Sequence, residues 1–167
     1  MSLEVLVLDL LSSVPHWLAT VIIGAMPIFE LRGAIPIAMG IYGMHPVAAF
    51  MFAVLGNMIP VVPLLLYLYP VSTYLRKYTI FDHFFSWLFG RTHRNHSERF
   101  EKYGILALTI FVAIPLPVTG AWTGCAAAFV FGIKFQHALP AIFAGVLIAG
   151  VIVSAVTLTG ISLLDII

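Results

Sequence analysis

The sequence predicts an all-α integral membrane protein. Its layout is an inverted repeat of a re-entrant helical hairpin followed by a transmembrane helix, with an amphipathic cytoplasmic connection between the halves. Three observations lead there. First, of 167 residues 62% are hydrophobic and 9% charged, with a mean hydropathy of +1.09. A soluble domain carries about 25% charged residues, so this chain has too few to cover a surface in water. Second, charge is confined to the ends and the middle. Between residues 10 and 75 Glu30 and Arg32 are the only charged side chains, and Lys134 is the only one between 103 and 164. Third, each apolar half begins with a stretch interrupted by Pro and Gly and ends with a long uninterrupted one.

Residues 1–15, MSLEVLVLDLLSS with Val14 and Pro15, carry Glu4 and Asp9 and no Lys or Arg. They lack the basic start of a cleaved signal peptide, and Met-Ser in place of Met-Gly excludes myristoylation. An interfacial N-terminal helix is expected there. Residues 16–43 follow, with Pro27, Gly33 and Pro36 as helix breaks around FELRGAIP. Proline removes an amide donor and clashes with the preceding turn. The stretch is too long for one crossing of about 20 residues and too short for two. Two half-helices that enter and return on one face fit it best, and a kinked full span is the alternative. Irregular backbone at that depth needs protein or a water-filled cavity around it.

Residues 46–69 are long enough for one transmembrane helix. Asn57 lies inside it beside Pro60 and Pro63, where it is expected to satisfy a backbone group freed by proline, or else to serve as a ligand. Residues 71–102 hold six of the eight basic residues: Arg76, Lys77, Arg91, Arg94, Arg99 and Lys102. The positive-inside rule places them in the cytoplasm. Phe81, Phe84, Phe85, Trp87, Leu88 and Phe89 give this connection an oily side suited to the headgroup layer. His93 and His96 share a helical spacing, but a third ligand is lacking, so no metal site is expected. Cys125 is the one cysteine, which excludes an internal disulfide and no cofactor is expected.

Residues 103–132 form the second hairpin, with Pro115, Pro117 and Gly124 as breaks within IPLPVTGAWTG. Thr119 and Thr123 offer hydroxyls and Trp122 an indole N–H. A half-helix starting after Pro117 would point backbone amides at an anionic headgroup. Tight packing of the small residues is the competing reading. Residues 136–164 make the last transmembrane helix. Ala141, Gly145 and Ala149 recur along it at a spacing of four and permit close helix contact, within the monomer or between protomers. Met26-Pro27-Ile28 lies over Ile114-Pro115-Leu116, and Gly56 over Gly145. With one span and one connection between them, the hairpins enter from opposite faces. That is the layout of many secondary transporters, with the site near the midplane.

Each charge at the centre of a spanning helix costs about 2.5–3.5 kcal/mol on insertion scales, so Glu30 and Arg32 must face protein or water. Residues i and i+2 point apart on a helix, so either the backbone over Glu30–Gly33 is irregular, which Gly33 and the flanking prolines favour, or each charge has a distant partner. Arg32 is the candidate for holding an anionic group and Glu30 for proton coupling; a structural latch at the hairpin tip is the alternative. Loss of water favours the neutral carboxylic acid, and a neighbouring guanidinium opposes that. A net charge of +1 gives no reason to expect nucleic acid, and no nucleophile–base set or phosphate-binding Gly loop suggests an enzyme.

FELRGAIP followed by IPLPVTGAWTG resembles the small multidrug export protein family, a prokaryotic membrane family related to the DedA (SNARE-associated) superfamily. The resemblance covers most of the chain. It implies two re-entrant hairpins, a homodimer in the cytoplasmic membrane, and proton-dependent transport of lipids such as polyprenyl phosphates or of amphipathic small molecules. By position, Glu30 and Arg32 match the acidic and basic positions of the family's first hairpin. Pro115, Pro117, Thr119, Gly120, Trp122 and Gly124 match its second, where Gly120 joins Arg32, Thr119, Trp122 and Thr123 as a substrate-binding candidate. DedA proteins typically carry arginines in the second hairpin. This chain has none between Lys102 and Lys134, which leaves Arg32 and backbone amides to hold a phosphate.

Overall fold

A computed structural model describes residues 11, 13–75, 98–116 and 119–164. Among them every regular element is helical: α1 (His16–Ala25), α2 (Glu30–Pro36) running into a π turn (Ile37–Ile41), α3 (Pro46–Met58), α4 (Val61–Leu75), α5 (Glu98–Ala113), α6 (Ala121–Val130) and α7 (Phe135–Leu164). Most of the expected N-terminal helix, residues 76–97 of the basic connection, and Pro117 lie outside the described residues. Two stretches are long and apolar enough to cross a membrane, Pro46–Leu68 and Phe135–Ser162. Only 33% and 39% of their most apolar windows is buried. The core helix of a soluble protein would hide most of that surface, so lipid is the fitting surround. The chain divides into two compact units, Met1–Asn57 with Gly150–Ile167, and Met58–Ala149.

In the first unit α1 packs on α2 and on the π turn. The chain breaks at Pro27. Met26, the residue before it, is extended at φ −75°, ψ 134°, the conformation that a following proline imposes. The Met26 amide still closes α1 on the Ile23 carbonyl oxygen at 3.1 Å, and the Glu30 amide bonds the Met26 carbonyl oxygen at 3.0 Å, starting α2. Gly33 and Pro36 do not break the chain where the sequence suggested. Gly33 lies inside α2, where a methyl would stand 2.9 Å from Phe29 Cβ and Cδ1; the glycine makes room for that ring. Pro36 ends α2. It has no amide for the carbonyl oxygen of Arg32, and the ladder widens to the π pattern that follows, with Tyr42 N–H bonding the Ile37 carbonyl oxygen at 3.0 Å. Helix α1 lies against α3 with almost no side chain between them. A methyl on Gly56 would overlap the Val21 carbonyl oxygen, and one on Gly24 would stand 2.8 Å from that of Ala53.

The stretch expected as one helix over 46–69 is two, joined by a turn at Ile59–Pro60. Pro60 cannot donate to Gly56; its own carbonyl oxygen accepts from Leu64 N–H at 3.0 Å. Helix α4 then runs on to Leu75, past the expected boundary. In the second unit α6 packs on α4 and on α5. It ends at Gly132, φ 66°, with Ile133 N–H bonded to the Ala128 carbonyl oxygen at 2.9 Å, a left-handed cap that favours glycine. Gly145 of α7 meets α5: a methyl there would stand 2.7 Å from Val112 Cβ and 2.8 Å from the Thr109 carbonyl oxygen. Ala141 and Ala149, on the same stripe, are 4% and 5% exposed. The small residues of α7 are therefore used inside the protomer.

Candidate functional site

The acid and the base sit where α2 begins. Glu30 is its first residue, 8% exposed, and takes φ 46°, in the left-handed region that a residue with a Cβ enters at a penalty. It follows Phe29, already helical at φ −92°, ψ −50°, so a single left-handed residue stands where the helix restarts after the Pro27 break. Arg32 is half-buried, and its Nη2 donates to the Ile28 carbonyl oxygen at 2.8 Å. The guanidinium thus folds back over the break, satisfying a carbonyl that the missing helical turn leaves open. It has further N–H donors to offer. The break therefore carries a buried carboxyl and a cation that is tied by one N–H group, on backbone that starts a helix in the middle of an apolar stretch.

The second break, Ile114–Gly120, is closed by Thr119. Its hydroxyl reaches the Ile114 carbonyl oxygen at 2.6 Å and that of Leu116 at 3.0 Å, and it accepts from Leu116 N–H at 3.1 Å. Pro115 stands inside this knot. Thr119 thus has its hydroxyl bonding used locally, and its first role is to hold the loop. Thr123, in the first turn of α6, donates to the Gly120 carbonyl oxygen at 3.3 Å. Gly120 precedes α6 with no side-chain cap on the helix. Trp122 is half-buried. Gly124 sits inside α6, where a methyl would meet Val112 Cγ2 at 2.6 Å; it serves packing and not the break. The structure thus groups Pro27, Glu30 and Arg32 at one break, with Gly33 inside the helix that follows it, and Pro115, Thr119, Gly120, Trp122 and Thr123 at the other.

Asn57 behaves differently from expectation. It is 1% exposed, and its Oδ1 has no hydrogen-bond partner among the described residues. No amide freed by proline uses it. An unsatisfied buried acceptor costs about 1–3 kcal/mol. Sequence reading also passed over the far end of α1, where the His16 and Tyr42 rings stack at 4.6 Å and 7° and Thr20 Oγ1 donates to the His16 carbonyl oxygen at 2.7 Å. Nothing in the spacing of 16 and 42 announces that contact; it depends on the π turn bringing the chain back. No group of three metal-ligating side chains occurs among the described residues.

No curated protein and no solved structure matches the chain significantly. Residues 30–152 match the model of the family described as "Putative small multi-drug export protein". The match begins at the buried acid, includes Arg32, Asn57 and the second break, and ends within α7. This chain belongs to that small multi-drug export protein family.

Proposed function

We propose that the protein is a transporter of the cytoplasmic membrane that moves an amphipathic substrate with an anionic headgroup, such as a polyprenyl phosphate, between leaflets in exchange for protons. Arg32 holds the headgroup; Glu30 takes up and releases the proton. Capture of an anion at Arg32 and proton exchange at Glu30 are coupled through the break that carries both. The observation that carries this reading is the acid and base placed together at the Pro27 break, one buried and one half-buried, in a stretch with no other charge. Short helices support the re-entrant layout. Helices α1 and α6 have 10 residues each, about 15 Å at 1.5 Å per residue, half the hydrocarbon thickness.

The internal repeat has support of its own. Val21 meets Gly56 in the first unit and Thr109 meets Gly145 in the second, in each case a backbone carbonyl of the first half-helix against a glycine of the long span. The partners correspond at shifts of about 88 and 89 residues, the same register that aligns Pro27 with Pro115, as two repeated halves of a transporter would.

Purified protein in liposomes carrying a trace of fluorescent phosphate-headgroup lipid tests the reading. Arg32→Ala should slow leaflet exchange roughly tenfold to a hundredfold, the worth of a hydrogen bond to a charged group. Glu30→Gln should flatten its pH dependence. An unchanged rate in Arg32→Ala ends the anionic-lipid reading and leaves drug export or an assembly or scaffold role. The family description favours a second reading, export of small amphipathic drugs. For a cationic dye, Glu30→Gln should abolish movement and Arg32→Ala should spare it, the reverse of the pattern for an anionic lipid.

A further inference from the structure

Asn57 is a buried acceptor awaiting a donor, and its place in the fold says what could bring one. It lies in the last turn of α3 and belongs to the same unit as α1 and α2. Its backbone nitrogen stands 3.4 Å from where Gly24 would carry a methyl, so its main chain abuts the penultimate residue of α1. Two residues further on, the Met26 carbonyl oxygen accepts from the Glu30 amide at 3.0 Å. Arg32 Nη2 holds the Ile28 carbonyl oxygen at 2.8 Å. The backbone of Asn57 thus lies beside the end of α1 from which the chain runs on through Pro27 to Glu30 and Arg32, while His16 and Tyr42 stack at the other end.

We propose that Asn57 selects the headgroup at this site, its side-chain carbonyl oxygen accepting a hydrogen bond from a hydroxyl on phosphorus. The inference rests on the reading of Arg32 as the anion-holding residue and adds a chemical requirement to it. A guanidinium has only donors and takes oxygens without protons. The orphan oxygen of Asn57 takes only a donor. A singly protonated phosphomonoester, R–O–PO₂(OH)⁻, offers both on one phosphorus. A phosphodiester whose second ester group is a methyl offers the oxygens and no donor. The chemistry is common to a lipid phosphate and to free inorganic phosphate.

Thermal unfolding of the detergent-purified full chain reads it without a transport assay, because a ligand that binds the folded state raises the midpoint with its concentration. The probes are dihexanoyl phosphatidic acid, dihexanoyl phosphatidylmethanol and inorganic phosphate. In the wild type phosphatidic acid should bind roughly three- to tenfold more tightly than phosphatidylmethanol, the worth of one hydrogen bond. Asn57→Leu should keep or raise the unliganded midpoint, since it removes a buried acceptor without a partner, and bind the two lipids alike. Asn57→Ala, which cannot overpack, reads the same preference if the leucine variant folds poorly. Inorganic phosphate matching phosphatidic acid, again only with Asn57 present, would make the ion the ligand and support the selection. A wild type without preference, or a preference that survives in both Asn57 variants, overturns the inference and leaves Asn57 a buried structural amide. Binding of both lipids that survives Arg32→Ala, with the Asn57-dependent preference intact, overturns the role of Arg32 alone. A wild type that binds none of the probes overturns both.

Discussion

Glu30 bears two penalties at one position. Its carboxyl is 8% exposed, and its backbone stands at φ 46°, a conformation that costs a residue with a side chain about 1–2 kcal/mol. Glycine enters that region without the penalty. Glu30→Gly should therefore raise the thermal midpoint above that of Glu30→Gln, which loses the same charge and keeps the strain, while both lose pH-dependent transport. A Gly variant no more stable than the Gln variant would show that surrounding contacts, and not the backbone, decide stability there. The sequence made the oddity of Glu30 and Arg32 plain, because charge is scarce around them. The irregular backbone expected over Glu30–Gly33 is present at Glu30 and does not extend to Gly33. Gly33 and Pro36 read as breakers, yet Gly33 makes room for the Phe29 ring and Pro36 sits at the helix end, where the ladder can widen. Asn57 was conspicuous too, but its missing partner depends on a three-dimensional neighbourhood that no spacing reveals.

At the scale of elements, glycines decide how near the helices come. A single methyl on Gly56 or Gly145 would meet backbone, a carbonyl oxygen of Val21 or Thr109, and backbone in a packed helix cannot rotate away. Gly56→Ala and Gly145→Ala should each destabilise by about 1–3 kcal/mol through overpacking. Gly160 in α7 has nothing within 4 Å of the added carbon, so Gly160→Ala should stabilise by about 0.5–1 kcal/mol through helix propensity alone. Thermal unfolding of the three variants checks the contrast; equal effects would refute the close contacts. The α7 stripe was legible because Ala141, Gly145 and Ala149 repeat every four residues. The Gly24–Gly56 approach was not, since each glycine stands alone in its helix. The Pro60 turn was missed because length and hydropathy over 46–69 are those of one span, and hydropathy does not register a missing amide.

For the whole molecule the decisive question is which segments cross. The apolar part of α5, Tyr103–Ala113, and helices α1 and α6 fall among the apolar helices of 10–17 residues, short of the roughly 20 that a crossing needs. If 16–43 and 103–132 dip and return, then Ser13 and His45 lie on one face and Tyr103 and Lys134 on the other, with Ser162 on the face of Ser13. Full spans would put the members of each pair on opposite faces. All five residues are exposed, and Cys125 is 0% exposed, so the wild type gives a quiet background for thiol labelling. Single cysteines at 13, 45 and 162 should react in intact cells with a membrane-impermeant maleimide. Those at 103 and 134, on the side of the basic connection, should react only after permeabilisation. Position 45 reacting only after permeabilisation while 13 reacts in intact cells would make the first stretch a crossing. Glu30 and Arg32 would then sit on a transmembrane rod, and the Pro27 break would be a kink within it.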